Sequence, residues 1–372
     1  MLASLASELQ AAGSDNIVIA PEKGEGWLAR ELSGTGVQVE LFRLDRPFSP
    51  AFARWLSETL RRHRVTLAHS HEFTMAVYGA WAARRAGIPH IFTMHGSRYY
   101  AARWQRRIAM RLAATSSDAV VAVSHSLEQH LRRDLWLRGG DQVVTVPNGA
   151  RLPLPPLEES SLRDELRLTA ADQLAVAVGN LYPVKGHTFL VEALSHLAGR
   201  FPRLHVAIAG RGDLASQLLA RAETLQIGGR VHLLGLRSDV ANVLAAADIF
   251  VLPSLSEGVP LALLEAMLAG KPIVATAVGE IPRVLDEGRA GVVVQPADAT
   301  GLAEAIAGLL ADPVAARRLG AAALARASQT YSLGAMIDRY VELYLTALSA
   351  AHGSNPLLQS LEVAAPKAPV GR

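Results

Sequence analysis

The sequence predicts two successive doubly wound α/β domains, and three observations carry that prediction. Short apolar runs alternate with helix-period stretches along the chain, the pattern of a parallel sheet covered by helices. The alternation stops at Leu152-Pro153-Leu154-Pro155-Pro156 and then starts again. Prolines at that density continue neither a helix nor a central strand, so they read as a linker. The length of 372 residues exceeds what one hydrophobic core usually serves.

Leu2, Leu5 and Leu9 recur at helical spacing, so the chain opens in a helix where a doubly wound domain ordinarily opens with a strand. Strands are then expected at Ile17–Ala20, Val37–Leu41, Leu67–His69, His90–Met94, Ala119–Val123 and Val143–Val146. Helical stretches at Phe52–His63, Met75–Ala86, Arg103–Ala114 and Ser126–Leu135 connect them. After the linker, strands are expected at Leu174–Val178, His205–Ala209, Val231–Leu234, Ile249–Leu252, Ile273–Thr276 and Gly291–Val294. Helices fill the intervals at His187–Leu197, Leu214–Leu225, Val240–Ala246, Pro260–Ala269 and Thr300–Ala311. A last helix is expected over Met336–Leu348, followed by a flexible tail over 351–372. Ligands of such folds sit beyond the carboxyl ends of the strands, and with two domains also in the cleft between them.

Composition narrows the function. Half the residues are hydrophobic, 5% are aromatic and 19% charged, which excludes a disordered chain. No apolar run approaches the ~18 residues of a membrane span, and Glu8 and Gln10 interrupt any signal-like start. With no cysteine, disulfides, thiolate metal sites and Cys nucleophiles are excluded, and a reducing, cytoplasmic setting is expected. The net charge of +3 hides an asymmetry: Met1–Arg151 holds 19 Lys/Arg against 13 Asp/Glu, and the remainder 18 against 21. A basic first half points to an anionic partner there.

The strongest local signal runs from Ser254 through Glu257, Gly258, Val259, Pro260, Leu261 and Glu265 to Gly270 and Pro272. Pro260 suits the first helical position, and Gly270 with Pro272 suits the stop. The unpaired amides over Val259–Ala262 make a ready anion site. Ionised carboxylates only accept hydrogen bonds, so Glu257 and Glu265 suit pairs of sugar hydroxyls. A capping Glu followed by a solvated helix Glu gives the same spacing, so the context decides. That context is Val178-Gly179-Asn180-Leu181-Tyr182-Pro183-Val184-Lys185-Gly186, a strand-to-helix turn whose lysine suits a diphosphate. Ala209-Gly210-Arg211-Gly212 is a second such turn, with fewer glycines than a dinucleotide fingerprint needs.

Taken in order, these pieces resemble the second domain of the retaining family-4 glycosyltransferases, whose fold is GT-B, two Rossmann-like domains. Leu67–His71, Thr93-Met94-His95-Gly96, Ala122–Ser124 and Val146–Gly149 resemble the first domain of the same family. The resemblance implies a first domain of 1–151 that accommodates the acceptor and is joined by the C-terminal helix 335–350. It implies a second domain, 152–334, that binds the nucleotide sugar. Glu257 would hold donor-sugar hydroxyls, Glu265 the ribose, and Lys185 the diphosphate with amides near Val259–Leu261, with Gly258 and Pro260 also among the donor-binding residues. Gly179, Asn180 and Gly210 would border the diphosphate, backbone at Gly235–Leu236 the base, and His95 the sugar. The implied activity is hexosyl transfer, with retention, from a UDP- or GDP-sugar to a saccharide or lipid-linked acceptor, in polysaccharide or glycolipid synthesis.

No cofactor beyond the donor and no metal is expected, because no Asp-x-Asp occurs; His69 and His71 share a strand face but lack an evident third ligand. Asn180 stands where the family usually has an arginine, and Glu280 and Arg283 where it has glycine and glutamate. The family's first strand and Gly-rich loop would lie before Met1. A nucleotide-sugar epimerase, a phosphorylase, or a non-catalytic nucleotide-sugar scaffold are the alternatives. The stretch Arg98–Arg111, with Tyr99, Tyr100 and Trp104, suits an anionic lipid surface or a solvated arginine-rich helix face; no nucleic-acid module accompanies it.

Overall fold

In the computed structural model, which describes residues 1–22, 27–44, 48–96, 98–137, 143–151 and 162–352, the chain divides into two units. The first comprises Met1–Pro147 and the chain from Met336 on; the second is Asn148–Ala335. The proline linker lies outside the described residues, and so does the chain beyond His352, where the last helix, Leu333–His352, ends.

In the first unit the strands are β1 (Ile17–Pro21), β2 (Gln38–Phe42), β3 (Ala68–His71), β4 (His90–Met94), β5 (Ala119–Ala122) and β6 (Val143–Thr145). β3-β4-β5-β6 form one parallel sheet, in which Phe92 lies opposite Ser70 and Val120. All five residues of β4 and all four of β5 are buried, as expected where helices cover both faces of a sheet. Ser49 caps the helix Pro50–Arg62 and Ser124 the helix His125–Asp134 through their side-chain oxygens. The helix Glu72–Ala86 comes close to the sheet at Gly79, where a Cβ would lie 2.0 Å from Ser70 Oγ.

β1 and β2 pair only with each other among the described residues. An isolated two-stranded sheet is marginal in water, and each strand keeps an open edge. Amides of Ile17–Ala20 and Gln38–Phe42 are therefore expected to exchange with deuterium well before those of the second unit's central strands. Equal protection in both regions would show that tertiary packing alone secures the pair.

The second unit restarts the pattern with β7 (Gln173–Val178), β8 (Leu204–Ala209), β9 (Val231–Gly235), β10 (Ile249–Leu252), β11 (Ile273–Thr276) and β12 (Val292–Val294). They form one parallel sheet in the order β12-β11-β10-β7-β8-β9. The order reverses between β7 and β10, which makes a crevice beyond their carboxyl ends. Two expectations are corrected here. Pro260 is not the first helical residue: with φ −73° and ψ 125° it precedes the helix Leu261–Leu268, and its carbonyl accepts the first turn's bonds from Leu263 and Leu264. The sequence reading also omits the helix Pro313–Thr330, which Asp312 caps through the amides of Val314 and Ala315. Its buried side is Ala316, Gly320, Ala323 and Ala327, residues too small to give a contrasting apolar stripe.

No single described helix is long and apolar enough to cross a membrane. Ala299–Ala311 and Pro313–Thr330 reach that composition only together, across a 104° bend, and both contribute buried residues to the second unit's core.

Candidate active site

The crevice at the order reversal is lined by turns that only glycine permits. Between β7 and the helix His187–Leu197, Gly186 has φ +65°, and a Cβ there would lie 2.0 Å from the Pro253 carbonyl oxygen. The turn after β7 is thereby pressed onto the turn after β10, and the Leu255 amide donates to Val184 O at 2.8 Å. From the other side Gly279, φ +56°, would place a Cβ 2.0 Å from Glu257 O. Thr276, at the end of β11, donates to Ser254 O at 2.6 Å. The segment carrying Glu257 is held on both flanks by backbone contact, which fixes its side chain more firmly than a free loop would.

This packing brings Lys185 and Glu257, 72 residues apart in sequence, into direct contact. Lys185 Nζ donates to Glu257 Oε1 at 2.6 Å. Ser254 Oγ, fully buried, donates to the same oxygen at 2.7 Å. Both bonds fall on Oε1, so Oε2 keeps its capacity to accept from a ligand. The ammonium has three donors and spends one here. Sequence reasoning put Lys185 and Glu257 on their turns around one helix-start anion site but not in direct contact, and it missed Ser254 as the group that orients Glu257. A serine three residues before an exposed-looking Glu in a strand-to-helix turn was the available signal.

Glu265 is the fifth residue of the helix Leu261–Leu268, half-buried, and burial raises its carboxyl above the usual range. A carboxylate so placed gains from hydrogen-bond donors such as hydroxyls. Leu261 and Ala262 precede the helix's first bonded amides, so their N–H groups face the anion site expected of a helix start. Gly179 and Gly210 close the neighbouring turns: the Gly179 amide donates to Ala209 O at 2.9 Å, and a Cβ on Gly210 would lie 2.0 Å from Gly179 O. Asn180 is exposed beside them. Gly235, φ +66°, ends β9 and accepts from the Gly210 amide at 2.8 Å, with Leu236 69% exposed. Gly258 is exposed, and its carbonyl accepts from the Glu280 amide.

His95 lies in the first unit, just past β4, with Nε2 3.2 Å from Nδ1 of His71 and the two rings stacked. Burial pulls the His95 imidazole down, and burial with the neighbouring His95 pulls His71 down to about 3. His69 is committed elsewhere: Nδ1 meets Tyr344 OH at 2.7 Å and Nε2 meets Thr93 Oγ1 at 2.8 Å. Tyr340 OH joins Thr93 at 3.0 Å, so the last helix is tied to β3 and β4 by a polar network that the sequence did not announce. Among the described residues no group of three or more His, Cys, Asp or Glu side chains is gathered as a metal site.

Comparison with known proteins bears on this geometry. The model of "Glycosyltransferase Family 4" matches residues 1–152, and that of "Glycosyl transferases group 1" matches 172–312. The alpha-maltose-1-phosphate synthase of Mycolicibacterium smegmatis is 30% identical over 310 residues, 75% of this chain and 79% of its own length. The chain belongs to the family-4 glycosyltransferases. A second relative of this glycosyltransferase is an Escherichia coli enzyme named UDP-Gal:alpha-D-GlcNAc-diphosphoundecaprenol alpha-1,3-galactosyltransferase. It is 29% identical over 236 residues, 59% of this chain and 60% of its own length. The Anabaena protein HepE, solved in complex with UDP-glucose, superposes with a TM-score of 0.73 at 22% identity, covering 93% of this chain and 94% of its own. The glycosyltransferase therefore has the GT-B fold, with two Rossmann-like domains, and transfers hexosyl groups from nucleotide sugars.

Proposed function

We propose that this glycosyltransferase moves a hexose, with retention at the anomeric carbon, from a UDP- or GDP-sugar to a hydroxyl of a saccharide or lipid-linked acceptor. The setting is cytoplasmic polysaccharide or glycolipid synthesis, with a membrane contact through Arg98–Arg111. The observation that carries the reading is the Lys185–Glu257 pair at the order reversal, beside the start of the helix Leu261–Leu268. On this proposal the two remaining Lys185 donors and the Leu261 and Ala262 amides meet the departing diphosphate, with no cofactor beyond the donor. Charge already in place where charge develops costs no reorganisation during reaction. Glu257 Oε2 takes donor-sugar hydroxyls and Glu265 the ribose pair. Gly179, Asn180 and Gly210 border the diphosphate, Gly235 and Leu236 the base, and His95, whose imidazole is pulled down by burial, lines the sugar site. The same-face course has the acceptor hydroxyl attacking as the diphosphate leaves, its proton passing to a phosphate oxygen.

A donor screen read by product mass, with the product's anomeric configuration read by NMR, tests the reaction. Transfer from a UDP- or GDP-sugar with an unchanged anomer is expected, and an inverted product overturns retention. Calorimetric titration with UDP and GDP tests the ribose assignment. Glu265→Ala is expected to weaken nucleotide binding about tenfold, seen chiefly in KM because ground and transition states share the contact. Unchanged affinity for both nucleotides would remove Glu265 from the ribose.

A further inference from the structure

The helix Trp104–Thr115 packs on the first unit through Met110, Ala113 and Ala114, all buried. Its outward side is apolar where a solvated helix would be polar. Trp104 is 67% exposed, Ile108 44% and Leu112 65%. At four-residue intervals these side chains form one continuous stripe opposite the packed face. Arg111, on the flank of the stripe, donates to the backbone oxygens of Leu135 and Trp136. That bond holds Trp136, 59% exposed, at the flank of the helix. The guanidinium of Arg106, in the first turn of this helix, lies 3.9 Å from the ring centroid of Tyr99, which precedes the helix and is 48% exposed.

The helix and the segment leading into it are basic, and beside Trp136 the one nearby carboxylate in sequence, Asp134, is paired with Arg133 at 3.2 Å. From Phe73 to Ser117 the sequence holds seven arginines and no Asp, Glu or Lys. The hydrogen bonds of Arg106 and Arg111 end on backbone carbonyls, which carry no formal charge, so the positive charge of this face is retained. Trp rings and aliphatic side chains suit the boundary between headgroups and acyl chains, and arginine stems lie along apolar surface while their heads reach phosphates. An anionic leaflet attracts such a face at a range set by screening.

We infer that the stripe Trp104–Ile108–Leu112, with Trp136 and the flanking arginines, is a docking surface for anionic phospholipid. The inference rests on the membrane contact proposed above and gives that contact its face: apolar insertion flanked by arginines, rather than a basic segment alone. Co-sedimentation with vesicles tests it without donor or acceptor, so its outcome is separate from that of the transferase reading. The full chain is expected to bind phosphatidylcholine vesicles containing about a third phosphatidylglycerol, to bind pure phosphatidylcholine far less, and to lose binding as salt rises. Trp104→Ser with Leu112→Ser, both at exposed positions, is expected to lower vesicle binding roughly tenfold or more with the thermal melt unchanged. Four results would overturn it: no vesicle binding, equal binding to both lipids, a double variant that binds like the parent, or a parent dimer that the double substitution dissociates. The last would assign the stripe to a second copy of the chain. Should the double variant melt early, Arg103→Gln with Arg107→Gln gives the second reading: binding should fall with a shallower salt dependence, and an unchanged salt dependence counts against the surface.

Discussion

Lys185→Ala is expected to lower glycosyl transfer by roughly 10²–10³ in kcat/KM, the usual cost of losing one group aimed at developing negative charge. Glu257→Gln is expected to cost a similar factor, because the amide can still accept from Ser254 but no longer pairs with the ammonium. The shared bond at Glu257 Oε1 makes the two effects interdependent. A Lys185→Ala/Glu257→Gln double variant should lose about as much as the worse single one, since residues that act as a unit are not additive. Steady-state rates for all three, beside thermal melts that confirm folding, decide the point. Wild-type turnover in either folded single variant ends the assignment, and multiplicative losses would show that the two groups work separately.

The second unit was legible nearly strand by strand, because its buried parallel strands are continuous apolar runs and its helices carry strong stops. β10 and β11 fall where the sequence placed them, at Ile249–Leu252 and Ile273–Thr276. The helix Pro313–Thr330 escaped because an alanine-rich helix shows little difference between its buried and exposed sides. In the first unit the alternation was read correctly, yet it could not show that β1 and β2 pair apart from β3–β6, since pairing depends on partners that periodicity does not name. At the site, residue types and their spacing pointed to Lys185, Glu257 and Glu265. The contact between the first two was not legible, because it depends on how tightly two turns pack. Gly186 and Gly279 set that approach, and a glycine in a turn has several ordinary explanations before its neighbours are known.

Acid should destabilise the first unit through His90. Its ring is 2% exposed and held at both nitrogens, Nε2 by Ser70 Oγ at 2.9 Å and Nδ1 by Ser117 Oγ at 2.7 Å. Serine hydroxyls can donate to one nitrogen and accept from the other, so the neutral ring is satisfied and a second ring proton would meet no anion. Burial accordingly pulls this imidazole down to about 3, against about 6.5 in an unfolded chain. The unfolded state therefore binds the proton first. The stability at stake is complete above about pH 6.5 and is lost progressively as pH falls from there to about 3; at pH 5 the loss is about 2 kcal/mol. His71 adds to the loss in the same direction. All five tryptophans, Trp27, Trp55, Trp81, Trp104 and Trp136, lie in this unit, so urea unfolding followed by tryptophan fluorescence reports it alone. The parent's midpoint is expected to fall between pH 7.5 and pH 5. His90→Gln, which can still hydrogen-bond but cannot titrate, should begin lower at pH 7.5 and fall less. A variant that loses as much stability on acidification as the parent would mean that His90 does not set the acid limit of this unit.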